Sequence, residues 1–188
     1  MRTAGVLALT ALLSLLSGTA MAEAVRWTVD PGRSAIRLEV QALGTTQAGR
    51  FEDWNGDILI DPDRPEAARV NLAIRAGSLR MGDAVVTDQA RGTAFLDVRT
   101  FPRIEVALTG LERLSDGRYR AVADVTAKGR TRPVTFPVAV TMQGDEVRID
   151  GTARLDRQAF GIGTGDLRGL AIGRQVKVDV DITARMRR

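Results

Sequence analysis

Residues 133–156 read PVTFPVAVTMQGDEVRIDGTARLD, and apolar side chains recur at every second position on either side of a turn. The series before the turn is Val134, Phe136, Val138, Val140 and Met142. Successive side chains of a β-strand point to opposite faces, whereas a helix repeats about every 3.6 residues. The stretch therefore predicts two antiparallel strands joined at Gly144-Asp145.

The same alternation continues outward along the chain in both directions. The further apolar runs are Ile36-Leu38-Val40, Val70-Leu72-Ile74, Ile104-Val106-Leu108, Tyr119-Ala121-Ala123-Val125 and Val176-Val178-Val180-Ile182-Ala184. Turn signals separate them at Asp30-Pro31-Gly32, Asp61-Pro62-Asp63, Ser115-Asp116-Gly117 and Gly129. Strands of this number and length predict an all-β fold, an antiparallel barrel of eight strands or slightly more, with residues 23–188 as one domain.

One internal segment, residues 77–103, lacks the alternation. Within it, Asp83 to Arg91 predicts a short helix that ends at Gly92. A long connection of this kind in an all-β chain is a candidate lid over one end of the barrel. The alternative is a loop packed against the outside of the barrel.

The N-terminus has the pattern of a cleaved export signal. Arg2 precedes the apolar run from Val6 to Leu16, and Ala20-Met21-Ala22 supplies the small residues that a signal peptidase recognises. The apolar run is too short to cross a bilayer comfortably. We therefore expect residues 1–22 to be a signal peptide that is cut after Ala22, and the mature protein to be periplasmic.

Composition argues against several classes of function. The 188 residues include no His and no Cys, which removes disulfides, most transition-metal sites and most nucleophile–base pairs. The net charge is only +4, basic residues are scattered, and aromatic residues make up 4% of the chain, so a nucleic-acid partner is not expected. The carboxylate pairs Asp61/Asp63 and Asp179/Asp181 are interpreted as solvated charges. We expect no catalytic residues, no metal and no cofactor.

Alternation alone leaves open which face of the barrel is apolar. A membrane barrel turns its apolar face outward and carries aromatic girdles, but this chain has two Trp and one Tyr. We therefore expect the apolar faces to point inward, with a small membrane barrel as the alternative. The interior of such a barrel either holds a long-chain apolar ligand or is filled by the protein's own side chains. A lipid-binding protein and a structural or stress-related module with a packed core and no ligand both remain open.

Five motifs follow one another along the mature chain: Trp27-Thr28-Val29-Asp30-Pro31 with Ser34, Gly49-Arg50-Phe51 with Gly56, Phe95-Leu96-Asp97-Val98 with Phe101-Pro102, Val125 to Val134, and Arg157-Gln158-Ala159-Phe160-Gly161-Ile162-Gly163. In this order they resemble the YceI-like family, a lipocalin-like group of exported polyisoprenoid-binding proteins. The chain departs from that family at two positions, since Arg33 and Gln89 stand where the family often has His.

The resemblance implies an apolar cavity that holds a long-chain isoprenoid or quinone-like lipid, as a carrier or scavenger. Together with the inward-facing pattern, it gives the expected lipid-binding residues: Ile36, Leu38, Phe51, Trp54, Ile58, Leu72, Ile74, Phe95, Phe101, Ile104, Val106, Phe136, Val138, Phe160 and Ile162. Arg157 is the expected polar contact at the cavity mouth, with a surface ion pair as the alternative. The expected partner is an isoprenoid, quinone or other lipid, and the sequence is compatible with transient membrane contact and with a homodimer.

Overall fold

The computed structural model describes residues 24–42, 44–164 and 171–187. The expected signal peptide and its cleavage site lie outside the described residues. The strands are β1 (Val25–Val29), β2 (Ala35–Ala42), β3 (Thr45–Phe51), β4 (Trp54–Asp61), β5 (Arg64–Arg75), β6 (Leu79–Met81), β7 (Arg103–Arg113), β8 (Tyr119–Ala127), β9 (Arg130–Gln143), β10 (Glu146–Asp156) and β11 (Ile172–Met186). Helix α1 spans Ala84–Arg91, and 3₁₀ turns occupy Pro31–Arg33, Ala76–Ser78 and Arg157–Phe160.

Eight strands close into an antiparallel barrel in the order β1-β4-β5-β7-β8-β9-β10-β11, with β11 pairing back onto β1. The remaining strands, β2, β3 and β6, extend the sheet from β11. β1 and β2 follow each other along β11, since Val29 lies opposite Ala184 and Ala35 lies opposite Asp181. The expected antiparallel barrel is therefore confirmed, and the strand count rises to eleven because turns and bends interrupt three of its long strands.

The barrel has two different ends. β9 starts at Arg130 and reaches the other end at Gln143, and its neighbours run antiparallel to it. We call the lid end the one that carries α1, the β8–β9 turn at Lys128-Gly129 and the 3₁₀ turn Arg157–Phe160. We call the base end the one that carries the turns at residues 62–63, 114–118 and 144–145.

Large apolar side chains pack the base end around Trp27. The Trp27 side chain is 1% exposed, and it packs in one cluster with Ile58, Val147 and Ile182. Its indole Nε1 donates a hydrogen bond of 3.2 Å to the carbonyl oxygen of Ile60, so the polar atom of the ring is satisfied. Burying a Trp removes roughly 150–250 Å² from water, which is worth about 4–6 kcal/mol. This cluster fills the interior where β1, β4, β10 and β11 meet.

Helix α1 forms where the sequence predicts it, because both of its ends are capped. The Asp83 carboxylate accepts hydrogen bonds from the backbone N–H groups of Val85 and Val86, at 2.7 and 3.1 Å. Gly92 ends the helix, and its N–H donates to the carbonyls of Asp88 and Gln89. Among the described residues, no helix has the length and apolar character needed to cross a membrane.

Candidate functional site: an apolar cavity inside the barrel

The apolar faces of the strands converge on one internal cavity with a volume of about 310 Å³. The opposite faces carry ion pairs, such as Arg148 with Asp150 and Lys177 with Asp179, at 3.1 and 2.8 Å. The apolar-inward arrangement expected from the sequence is therefore confirmed, and the membrane-barrel alternative, which needs apolar residues outside, is wrong. The cavity volume lies at the lower end of the roughly 300–1,000 Å³ found for small-molecule sites.

Twelve of the fifteen residues expected to bind lipid line this cavity. They are Ile36, Leu38, Phe51, Leu72, Ile74, Phe95, Ile104, Val106, Phe136, Val138, Phe160 and Ile162. They come from β2, β3, β5, β7 and β9 and from the segments that follow α1 and β10. The structure thus brings together side chains that are more than a hundred residues apart in sequence.

Trp54, Ile58 and Phe101 do not line the cavity, contrary to the sequence-based expectation. Ile58 is fully buried in the base cluster, where it lies opposite Trp27 in the β1–β4 ladder. Trp54 is half-buried against the same cluster. Phe101 packs on Gly129 at the lid end, where a Cβ on the glycine would lie 2.8 Å from the phenyl Cε1. Period-two alternation gives the face of a strand but does not say which of its inward side chains reach the cavity, and this explains the difference.

Small residues create the space in the middle of the barrel. Ala121, Ala123 and Ala127 project inward from β8, and Ala153 projects inward from β10. The β8 alanines are all buried. None of these four was expected to bind lipid, although the run of alternating alanines on β8 was visible in the sequence. Alanine at an inward position leaves unfilled volume, and that is the signal that could have identified them.

The segment after β6 covers the lid end of the cavity. Val86, Gln89 and Ala90 of α1, together with Leu96 after it, line the cavity. The helix is anchored to the barrel because Arg91 donates from Nε and Nη2 to the carbonyl of Leu79, at 3.0 and 2.6 Å. The segment is therefore part of the cavity wall, which rules out the alternative of a loop packed outside.

Arg157 lies in the cavity wall, but its guanidinium is directed at the main chain. The residue is 4% exposed. It donates to the carbonyls of Ile162 (2.8 Å), Gly163 (3.0 Å), Ile172 (2.7 Å) and Gly173 (2.9 Å). Burial lowers the pKa of this guanidinium from its usual value. Arg157 therefore joins the turn after β10 to the start of β11, and this burial contradicts the alternative of a surface ion pair.

Polar side chains in the cavity wall are few. Among the lining residues that the structure describes, only Gln47, Gln89 and Arg157 carry a polar side-chain atom. The Gln47 Nε2 donates a hydrogen bond of 3.0 Å to the hydroxyl of Thr45, which leaves the side-chain carbonyl oxygen of Gln47 available. The Gln89 amide has no side-chain partner among the described residues. Two neutral amides at the lid half are thus the groups that could contact a polar head group.

The carboxylate pairs lie outside the cavity wall. Asp179 accepts a hydrogen bond of 2.7 Å from the Thr152 hydroxyl and pairs with Lys177. Burial raises the pKa of Asp179, but these two partners outweigh it and leave the pKa below its usual value. Asp61 is 2% exposed, so the interpretation of a solvated charge is wrong for it, and it accepts hydrogen bonds from the Asp63 N–H and from Arg64, both at 3.0 Å. Within the described ranges, no group of three or more His, Cys, Asp or Glu residues could hold a metal ion.

Together these features define a lipocalin-like class of protein: a closed antiparallel barrel with a hollow apolar interior, covered at one end by a short helix. The sequence profile of the YceI-like domain matches residues 27–184. The chain belongs to the YceI-like family.

Individual relatives agree with this assignment. A UPF0312 protein from Yersinia pestis is 30% identical over 135 residues, which cover 71% of this chain and 70% of that protein. A UPF0312 protein from Yersinia enterocolitica is 29% identical over the same length.

Solved structures share the fold at lower identity. BcnA from Burkholderia cenocepacia superposes with a TM-score of 0.77 at 23% identity, covering 82% of this chain and 98% of BcnA. A polyisoprenoid binding domain from Saccharophagus degradans, implicated in plant cell wall breakdown, gives 0.68 at 15% identity and covers 87% and 99% of the two chains. At these identities the likeness is one of fold.

Proposed function

We propose that the protein binds a long-chain isoprenoid or quinone-like lipid in the cavity of its barrel and acts as a lipid carrier or scavenger in the periplasm. The observation that carries the proposal is the cavity itself, about 310 Å³ in volume and walled almost entirely by apolar side chains. The alternative, a structural module with a packed interior, needs no such void. An exported location is supported by the signal pattern of residues 1–22.

The energetics favour a guest with a long tail. Burying one methylene group is worth about 0.8 kcal/mol. Association itself costs roughly 4–15 kcal/mol before net affinity appears. A guest with only a few apolar carbons therefore gains little, whereas a tail with ten or more buried carbons offsets the cost. The fold neighbour from Saccharophagus degradans, a polyisoprenoid binding domain, supports the same ligand class.

The polar groups of the wall favour a neutral head group. Gln47 and Gln89 can both donate and accept hydrogen bonds, which suits a carbonyl or hydroxyl group. The guanidinium of the cationic lining residue, Arg157, is already directed at main-chain carbonyl oxygens. A quinone or an isoprenoid alcohol fits this wall better than a diphosphate.

The test is to identify the lipid that co-purifies with the full chain expressed in a bacterial host. The purified protein is extracted with organic solvent, and the extract is analysed by mass spectrometry. We expect a lipid with a long apolar tail at close to one molecule per protein. Ala123→Phe, which fills the middle of the cavity, should lose this lipid, whereas Ala107→Phe on the outward face of β7 should retain it. An empty extract from the unaltered protein would contradict the proposal.

A further inference from the structure

Five basic side chains gather at the lid end of the barrel. Lys128, Arg130 and Arg132 come from the β8–β9 turn and the start of β9, and Arg99 and Arg103 come from the end of the lid segment and the start of β7. We call these five residues the basic rim. None of them forms an ion pair within the part of the chain that the structure describes.

At the base end most arginines are matched by carboxylates, although Arg113 lies over the Tyr119 ring and Arg187 forms no ion pair among the described residues. Arg118 pairs with Asp116 at 2.7 Å, and Arg120 pairs with Glu112 at 2.8 Å. Arg26 pairs with Asp57 at 2.8 Å. The five unpaired cations of the basic rim therefore concentrate positive charge at the lid end.

The basic rim adjoins the segment that covers the cavity. The Lys128 Nζ donates to the carbonyls of Thr93 and Ala94, at 3.0 and 3.3 Å. The pKa of Lys128 is lowered, mainly by burial and also by the nearby positive charge of Arg130, while the carboxylate of Asp97 acts in the opposite direction. One carboxylate and two cations therefore share this surface. The rim therefore lies directly beside the lid and retains net positive charge.

An exposed apolar side chain lies on the lid itself. Val85 is 75% exposed, and it is the large hydrophobic residue most exposed to solvent among the described residues. The next residue on α1, Val86, faces the cavity. Isolated exposed valines are common, but this one stands at the cavity end of the molecule together with the unpaired cations.

We propose that the lid end docks on an anionic lipid bilayer, with the basic rim at the phosphate groups and Val85 in the interfacial layer. Basic residues near an anionic bilayer attract it, and an apolar side chain on a short helix adds buried area at the interface. Docking in this orientation places the covered end of the cavity against the bilayer, so that a lipid passes between the two at α1. That last step rests on the proposed lipid-binding function, whereas docking itself does not.

The experiment is vesicle sedimentation with the full chain. Vesicles of phosphatidylcholine alone are compared with vesicles in which about one third of the lipid is phosphatidylglycerol. We expect binding only to the anionic vesicles, and we expect it to disappear as salt rises from about 0.1 M to about 1 M, which shortens the Debye length from about 10 Å to about 3 Å. Arg130→Gln/Arg132→Gln should weaken partitioning about tenfold or more, since each basic residue contributes severalfold. Val85→Asp should weaken it as well.

The matched control is Arg185→Gln/Arg187→Gln, which removes the same charge at the base end. Arg185 lies near the end of β11 and Arg187 directly follows that strand, so they form a rival basic surface at the base end. This control should bind within about twofold of the unaltered protein. Equal loss in both double variants, or loss in the control alone, would overturn the proposal. Displacement from vesicles by inorganic pyrophosphate at matched ionic strength would also overturn it, because it would reveal a discrete phosphate site.

Unfolding curves show whether each variant is folded, and organic extraction measures its lipid content. Lost vesicle binding with retained cavity lipid supports the docking surface. Absence of cavity lipid from the unaltered protein counts against the lipid-binding function and leaves the vesicle result to decide docking by itself.

Discussion

The guanidinium of Arg157 donates a hydrogen bond of 3.0 Å to the carbonyl of Gly163, and the same glycine lies against the ring of Phe95. Gly163 has φ of +64°, a left-handed conformation that glycine adopts without steric cost. The N–H of Gly163 donates a hydrogen bond of 2.8 Å to the carbonyl of Ala94 in the lid segment. The turn after β10 therefore links the lid to the cavity wall through this one position.

Gly163→Ala should destabilise the fold by more than the backbone conformation alone explains. A Cβ there would lie 2.5 Å from Arg157 Nη1 and 2.9 Å from Phe95 Cε1, so both side chains must shift. Gly144→Ala is the matched control, because Gly144 has φ of +61° and nothing within 4 Å of a Cβ. We expect the control to lose about 1–2 kcal/mol in urea unfolding and Gly163→Ala to lose at least about 1 kcal/mol more. Equal losses would show that the packing around Gly163 does not matter.

Arg157→Lys should destabilise the fold although it conserves the charge. Lysine replaces the planar guanidinium and its five N–H groups with one ammonium that has three, so it cannot satisfy all of the carbonyls of Ile162, Gly163, Ile172 and Gly173. Each unsatisfied buried group costs about 1–3 kcal/mol, and we expect a total loss of about 3 kcal/mol in urea unfolding. Arg154→Lys, on the exposed face of β10, should change stability by less than about 0.5 kcal/mol. A similar effect of the two substitutions would contradict the anchoring role of Arg157.

Stability should fall in acid and stay level near neutral pH. The hydrogen bond from Arg33, with Nη2 2.7 Å from Oε1, holds the pKa of Glu146 below its usual 4.5. A carboxylate with a lowered pKa stabilises the folded state above its unfolded pKa, and this contribution is lost as the pH falls through the folded value. The free energy of unfolding should therefore decline below about pH 4.5. The decline should be less steep in Glu146→Gln, whereas the control Glu105→Gln should behave like the unaltered protein.

With no histidine in the chain, the same measurement should show little change between about pH 6 and pH 8. A steep change in that interval would show that a carboxyl or amino group with a strongly shifted pKa titrates there.

Gln89→Leu should weaken binding of lipids that have a polar head. If the Gln89 amide contacts a quinone carbonyl, its loss removes one hydrogen bond, worth about 1 kcal/mol or about a fivefold change in Kd. The affinity for a hydrocarbon with the same tail should not fall. Gln143→Leu, at the exposed end of β9, is the control and should alter neither affinity. Equal weakening for quinone and hydrocarbon would indicate that Gln89 shapes the lid and does not contact the head group.

Much of the barrel could be predicted from the sequence, because alternation is a local property and turn residues are few. The turns at Gly144-Asp145 and Asp61-Pro62-Asp63 and the helix before Gly92 all lie where their residues indicate. The break between β1 and β2 also lies at a predicted turn, Asp30-Pro31-Gly32, whereas the break between β3 and β4 was not predicted. That break arises where one long strand bends to follow the barrel, and alternation on each side of the bend hides the interruption.

The inward face of each strand was predictable, but the particular side chains that reach the cavity were not. Ile58 and Ile36 have the same apolar pattern and belong to one core cluster, but only Ile36 lines the cavity. That difference depends on how side chains of neighbouring strands pack against each other, which the pattern of a single strand does not give. Arg157 illustrates the same limit, since its carbonyl partners at Ile172 and Gly173 lie on a strand that returns about fifteen residues later.

The central claim is that the cavity holds an apolar tail, and a titration with isoprenoid alcohols of ten, fifteen and twenty carbons tests it most directly. Each buried carbon adds up to about 0.8 kcal/mol, so Kd should fall by at least about tenfold per five-carbon unit until the cavity is full. Ala123→Phe should abolish this dependence on tail length, and Ala107→Phe should preserve it. Affinities that do not change with tail length, or that are the same in Ala123→Phe and the unaltered protein, would contradict the claim.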